Sequence, residues 1–489
     1  MIDAGIGANS ASSGAYDIEY SSVWESDLQD QAYLTQGGTA GTRTKHTWSM
    51  WIKRTELGTR QMLFEGGTNN TVTTQLSLSF QTTDALEVRA GEYVNGSVAG
   101  TVYRLTNRVF RDTAAWYHIV AAFDTTQGTA NDRIKIWVNG VQETSFATTA
   151  NPGQNTDLGL FAANAQSSIG VSANNAFYVN GYIAHPALVY NAQLNADSFG
   201  EFDEDSGIWK PINLGGVTFG TYGYWMKNEI KNGTGSGMAT DSSGNSKTFA
   251  NWDDTIYQST DTPTNNFCTM NNNSRTNGNI RTQEGGTQVT ADGGSGWVSM
   301  NATMGVQAGK WYWEVRYENT TDANNVMVGI AASDDPYIPN KSGGYYLGNV
   351  ATTGSHGWLF KYSTVYNMSG TWSDLSAGDI AMVALDCDNG KLYFGVNGTW
   401  KNSSNPATNT NGGDYAGYQT AVAQQCQDSF MIPSVSLYQG KRIKSMNFGG
   451  HTGNPISSAE SDANGYGTFE YTPPSGFYSL CTKNLAEFG

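Results

Sequence analysis

The chain has 489 residues, with 27 basic and 43 acidic side chains and a net charge of −16. That balance argues against nucleic-acid binding and against an anionic-lipid anchor, both of which call for a basic face. Glycine is frequent at 58 residues, charged residues make up only 14% and aromatics reach 12%, which excludes a disordered chain and suits an all-β protein with many turns.

Met1–Asn9 has neither a basic n-region nor an apolar h-region and does not read as a secretory signal. No apolar run approaches the roughly 18 residues needed to span a bilayer, so no membrane insertion is expected. Residues 1–14, rich in Gly, Ala and Ser, read as an N-terminal arm. From 15 to 209 the apolar period is two, broken by Gly, Asn, Asp and Thr clusters. His46–Lys53, Gln61–Phe64, Gln75–Phe80 and Ala85–Arg89 read as strands. Trp116–Asp124 is a longer, more buried strand, and Arg133–Val141 runs into Asn139-Gly140, a hairpin turn in which both residues accept positive φ. Phe177–Ile183 closes the set, and Leu194–Phe202 reads as one short helix.

Residues 210–295, rich in Asn, Thr, Ser and Gly, read as an extended connector with short strands; Tyr222–Met226 is one that could complete the first sandwich. The strand pattern then returns over 296–450, in Lys310–Arg316, Val326–Ala331, Gly357–Phe360, Asp379–Asp386 and Lys391–Gly398. In both regions a buried strand ends in Asp (Asp124, Asp386) and the next ends in Val-Asn-Gly (Val138–Gly140, Val396–Gly398), so one supersecondary unit occurs twice. Residues 451–489, with Pro473-Pro474, read as an extended C-terminal arm. The fold class is therefore all-β: two antiparallel β-sandwiches joined by an extended connector, with extended terminal arms. Cys268, Cys387, Cys426 and Cys481 form no CxxC pair and read as free thiols, with a disulfide left open.

Thr47–Arg54, Trp116–Val120 and Ile134–Gly140 resemble strands of the laminin-G-like, concanavalin-type jelly roll. Gly309–Val315, Val328–Ala331 and Gly390–Gly398 resemble a SPRY domain, also a concanavalin-type sandwich. With Val109–Asp112, Asp241–Asn245, Asp261–Phe267 and Tyr471–Phe477 added, most of residues 15–489 is similar to marine bacteriophage virion proteins of tail-fibre or head-decoration type. The resemblance implies a virion location after synthesis in a host cytoplasm, other virion proteins as partners, and a homo-oligomer, a trimer by analogy; it does not say where on the particle the protein sits.

The fold type includes glycoside hydrolases, which need two carboxylates about 5–9.5 Å apart. No Glu-x-Asp-x-x-Glu run is present; Glu314 and Glu318 on one strand are roughly 13 Å apart. There is no Gly-x-Ser-x-Gly elbow, and the histidines are scattered, His118 reading as a satisfied sheet residue. No catalytic residues and no enzyme are expected. No cofactor is expected beyond calcium, which modules of this type often hold; the acidic candidates are Asp203 and Asp205, beside Glu201 and Glu204, and Asp386 and Asp388, whose Asp386–Gly390 run is also explained as a hairpin turn. SPRY domains bind partners through loops, which directs attention to Tyr337, Tyr345, Tyr346, Tyr366, Trp372 and Trp400, rings that stack on sugars, anchor protein contacts or cap the core. The leading expectation is a fibre or adhesin module binding a host-surface glycan or protein. The alternative is a capsid or tail decoration protein whose arms, 1–14 and 466–489, lace into neighbours.

Overall fold

The computed structural model describes residues 16–25, 32–35, 42–67, 75–90, 93–94, 97–98, 100–158, 160, 166–172, 176–229, 238–249, 255–276, 278–292, 296–317, 326–333, 346–347, 355–359, 365–366, 375–412, 429–438, 440–451, 453 and 455–489. The chain divides into two compact units between Thr264 and Asn265. Each is built on a pair of sheets, antiparallel throughout except where Tyr478–Ser479 pairs parallel with Lys310–Tyr317, confirming the all-β sandwich architecture.

In the first unit an eight-stranded sheet runs Val141–Gln142, Ile134–Val138, Trp116–Asp124, Lys45–Arg54, Gly181–Tyr190, Ser21–Trp24, Tyr257–Ser259, with Tyr224–Trp225 also on Gly181–Tyr190. A seven-stranded sheet, with Leu76–Phe80 and Ala85–Ala90 near its centre, faces it. Strand alternation sends Trp48, Met50, Ile52, Ile119, Ala121 and Phe123 inward, against Leu63, Phe64, Leu76, Leu78, Leu86 and Val88 of the other sheet.

The second unit repeats the plan. Its eight-stranded sheet centres on Lys310–Tyr317 between Ile380–Asp386 and Arg442–Asn447, and a six-stranded sheet centres on Met431–Tyr438 between Trp297–Ala302 and Val326–Ala332. Trp311, Trp313, Val383 and Phe394 meet Met300, Val328, Val435 and Leu437 in the core.

The repeated supersecondary unit is a shared hairpin with matching register. Lys45 opposes Asp124 and Lys310 opposes Asp386, each pair bonded at 3.1 Å. Each aspartate also caps its turn, Asp124 accepting from the Thr126 N–H and Asp386 from the Asn389 N–H, both at 2.9 Å. Asn139 and Asn397 both adopt φ 47°, and each side-chain oxygen accepts one more strand N–H, from His118 at 2.7 Å and Ile380 at 2.9 Å. Asn tolerates this left-handed backbone better than most residues, and glycine follows it freely.

Three segments differ from the sequence expectation. Leu194–Phe202 is not a helix: a 3₁₀ turn, Ala196–Ser198, is followed by Gly200–Phe202, which pairs with Trp209–Pro211. Three residues of turn are too few to propagate a helix, and the strand pairing takes over. Residues 210–264 are not an extended connector: Tyr224–Trp225 pairs with Gly181–Tyr190, as expected of 222–226, and beyond it Met238, Phe249 and Ile256 also join the core of the first unit. Residues 455–489 are folded onto the second unit instead of extending away, and they end in the α-helix Thr482–Phe488, whose Phe488 ring stacks on Tyr478 at 3.9 Å. Cys268, Cys387 and Cys481 are buried and form no disulfide among the described residues, and Cys426 lies outside the described residues.

Candidate functional site

The outward face of each eight-stranded sheet is covered by the unit's own chain, anchored at equivalent positions. In the first unit the covering layer includes Phe199, Trp209, Leu214, Phe219 and Trp225. Thr47 Oγ1 donates to the Ala192 carbonyl at 2.9 Å and accepts from the Leu194 N–H at 2.9 Å. The Trp209 indole donates to His118 Nδ1 at 2.9 Å, which leaves the proton on Nε2 to donate to Ser49 Oγ at 2.9 Å. Burial pushes His118 down to about 3, so the ring is neutral, and Trp51 stacks on it at 4.6 Å. This is the satisfied sheet histidine the sequence indicated. On the same outward face, Lys53 Nζ bonds Asp261 Oδ2 at 2.7 Å, and Trp116 Nε1 donates to the other Asp261 oxygen at 3.0 Å.

In the second unit the cover is the C-terminal segment. Phe469 and Phe477 pack on Tyr312, Met382 and Tyr393. Glu314 accepts from the Glu470 and Tyr471 N–H groups at 2.9 and 2.8 Å, and from the Tyr312 hydroxyl at 2.9 Å. Burial raises its pKa, and the two backbone donors oppose the rise. Its carboxylate is a clamp for the tail. Asp462 fixes the end of the segment, accepting from the Ser479 N–H and hydroxyl and from the Asn484 amide. Trp400 belongs to this layer, 6.4 Å from the Tyr312 ring.

Tyr346 lies on the opposite side of the second unit, on the outer face of the six-stranded sheet. Its ring is 4.9 Å from Trp297, which is 5.7 Å from Tyr438. All three rings are half-buried. Trp297 and Tyr438 face each other across paired strands. Next to Tyr346, Leu347 is buried on Met327 and Ala331, and its N–H donates to Ser436 Oγ at 3.1 Å. Tyr346 and Trp400 therefore cannot share one contact surface. Tyr337, Tyr345 and Trp372 lie outside the described residues, as does the side chain of Tyr366, whose backbone pairs with Gly357. Sequence reasoning missed Trp297 and Tyr438. Their signal was alternation, since each sits one residue out of step with the core-facing Val298 and Met300, or Val435 and Leu437, of its own strand.

The acidic candidates serve turns. Asp203 accepts from the Ser206 N–H and hydroxyl at 2.9 Å and from Lys210 at 3.1 Å; these bonds, the Ser206 N–H foremost, hold its pKa at about 2. Asp205 is exposed, and its N–H donates to Asp203. Asp386 caps its hairpin, and Asp388 accepts from the Gly309 N–H at 2.8 Å. Among the described residues no three His, Cys, Asp or Glu side chains gather as a metal site.

Comparison with known proteins bears on both units. The family described as the concanavalin A-like lectin/glucanases superfamily matches residues 27–198, and the SPRY domain family matches residues 310–451. Among solved structures, the chain is similar to the SPRY domain of human HERC1 at 14% identity, over 36% of this chain and 96% of that one, with a TM-score of 0.26. It is similar to a heptameric SAP-like pentraxin from Limulus polyphemus at 14% identity, over 37% and 80%, with a TM-score of 0.26. A putative carbohydrate binding protein from Bacteroides ovatus is matched at 15% identity, over 50% of this chain and 58% of that one, with a TM-score of 0.29. No curated protein is matched. Trp209 and Tyr471, which seat the two covering layers, both fall outside the matched ranges. The chain thus carries a concanavalin-like, laminin-G-type module followed by a SPRY domain.

Proposed function

We propose that this chain is a binding protein of a phage virion surface, a fibre or adhesin module that recognises a host-surface glycan or protein without catalysing a reaction on it. The observation that carries the reading is the Trp297–Tyr346–Tyr438 cluster, three half-buried rings on an outer sheet face. Half-buried rings backed by a rigid sheet lose little side-chain freedom on binding, and their faces suit sugar C–H groups and protein side chains alike. The buried carboxylates Glu314 and Asp462 support the non-catalytic part, because both are engaged by backbone donors of the chain's own tail. The virion part rests on the resemblance of the module order and linking motifs to phage structural proteins. With residues 466–489 folded onto their own sandwich, lacing into neighbours by that tail is the less favoured reading.

Immunogold electron microscopy of intact virions, with an antibody raised against the native chain, tests this. Label at tail or fibre tips is the expected result. Label spread over the head would replace the adhesin with a decoration protein, and unlabelled particles would overturn the virion assignment.

A further inference from the structure

We infer that the first unit holds a second binding site, a groove for an uncharged saccharide between the end of the Gly181–Tyr190 strand and residues 216–221. The inference rests on the proposed binding role and deepens it by naming a ligand class and a place. The groove is an open depression of about 620 Å³, lined by Tyr190, Leu194 and Val217 together with Asn191, Thr218 and Thr221. Pockets of roughly 300–1,000 Å³ are the usual size for small ligands.

The site is braced. The Tyr190 ring meets Tyr222 edge-on, at 5.0 Å and 84°, and its hydroxyl accepts from the Thr42 N–H at 2.8 Å. Tyr190 N–H donates to the Phe219 carbonyl at 2.9 Å, tying the far wall to the strand. Gly220 has φ +67°, and a Cβ there would lie 2.6 Å from the Tyr190 carbonyl oxygen, so only glycine permits this approach. The Asn245 amide donates to the Gly220 and Gly223 carbonyls at 2.6 and 2.9 Å.

The lining has the chemistry of a sugar. A pyranose presents an apolar C–H face and a rim of hydroxyls. Leu194, Val217 and the Tyr190 ring offer apolar surface to the face. The side chains of Asn191, Thr218 and Thr221 are exposed and make no hydrogen bond to the described residues, leaving an amide and two hydroxyls to exchange bonds with the rim. No lining residue is charged, so nothing in the groove neutralises a sialate or uronate, and the chain's net charge of −16 repels such anions further.

The test applies the full chain to an array of neutral hexose and N-acetylhexosamine oligosaccharides printed beside sialylated and uronate-bearing counterparts. The best neutral oligosaccharide is then titrated by calorimetry into wild type, Thr218→Arg and Thr221→Glu. Both positions are exposed, so the variants are expected to melt with wild type. Neutral binding that falls at least tenfold in both variants is the expected result. No neutral binding, a preference for the acidic glycans, or a titration the two variants leave unchanged would overturn the inference. Host-cell binding by wild type, measured in parallel, separates this from the broader reading: wild type that binds cells while no neutral oligosaccharide binds it would sink the groove and leave the binding role standing, whereas wild type that binds no cells would remove that role.

Discussion

The first unit covers its eight-stranded sheet with a mid-chain segment, and the second covers its sheet with the C-terminal tail. The anchors stand at the same register. Ser49 and Glu314 each lie four residues after the lysine that opens the strand, and Thr47 and Tyr312 each lie two after it. An aromatic residue of each cover rests on the Asn-Gly turn: a Cβ on Gly140 would strike the Trp209 ring at 2.2 Å, and one on Gly398 would approach the Tyr471 ring to 3.1 Å. The chemistry differs. The first unit fastens its cover through a neutral histidine between a serine and an indole, and the second through buried carboxylates that accept backbone N–H groups. The shared hairpin dictates where a cover attaches, and the local sequence decides by which bonds.

The largest test of this comparison removes each fastening. Trp209→Ala deletes a buried indole and leaves His118 Nδ1 without its donor, an expected loss of about 3–5 kcal/mol confined to the first unit. Asp462→Ala strands the Ser479 and Asn484 donors, an expected loss of about 3 kcal/mol or more confined to the second. Hydrogen exchange read peptide by peptide checks both; deprotection in the wrong unit would break the comparison.

The two chemistries also respond oppositely to acid. His46, His118 and His185 in the first unit are each lowered by burial to about 3. Their unfolded forms take up protons first, so stability is full above about pH 6.5 and falls as pH drops toward 3, by up to about 1.4 kcal/mol per pH unit for each histidine. Glu314 is raised by burial, so its folded form holds a proton more readily, and its contribution is present at low pH and lost as pH rises through the raised value. His451, lowered to about 4, adds one acid-sensitive group to the second unit. Pulse proteolysis at pH 7.5 and 5.0, with fragments identified by mass, should show the first unit losing more resistance than the second. Equal losses would contradict the assignment.

Smaller effects should be equal in the two units. Asn139→Gly and Asn397→Gly keep the turn backbone but remove the oxygen that caps the strand; each should cost about 1 kcal/mol, and a difference above about 0.5 would show that the hairpins are not equivalent. Lys45→Met and Lys310→Met remove partly exposed ion pairs worth about 0.5 kcal/mol each. Urea midpoints of the single variants check both pairs.

Much of this was legible in the sequence. Period-two runs gave the strands, and the Asp124/Asp386 and Val-Asn-Gly repeats gave the hairpin, because strand alternation and turn chemistry are local. The covers were not legible. His118 meets Trp209 across 91 positions and Glu314 meets Tyr471 across 157, and neither contact leaves a periodic trace. Asn, Thr and Gly content made 210–264 look like a connector, although its few large apolar residues complete the first core. The two prolines made the tail look extended, when Glu314 and Asp462 hold it down. Tyr346 was found as a loop aromatic; its neighbours Trp297 and Tyr438 were hidden at strand ends.

The most direct measurement is binding of the fluorescently labelled full chain to host cells, wild type against Trp297→Ala and Tyr346→Ala, with the melting temperature of each recorded. The account predicts saturable binding by wild type and at least a tenfold weaker titration for both variants without a matching loss of fold. Binding that both folded variants retain at wild-type strength would contradict it.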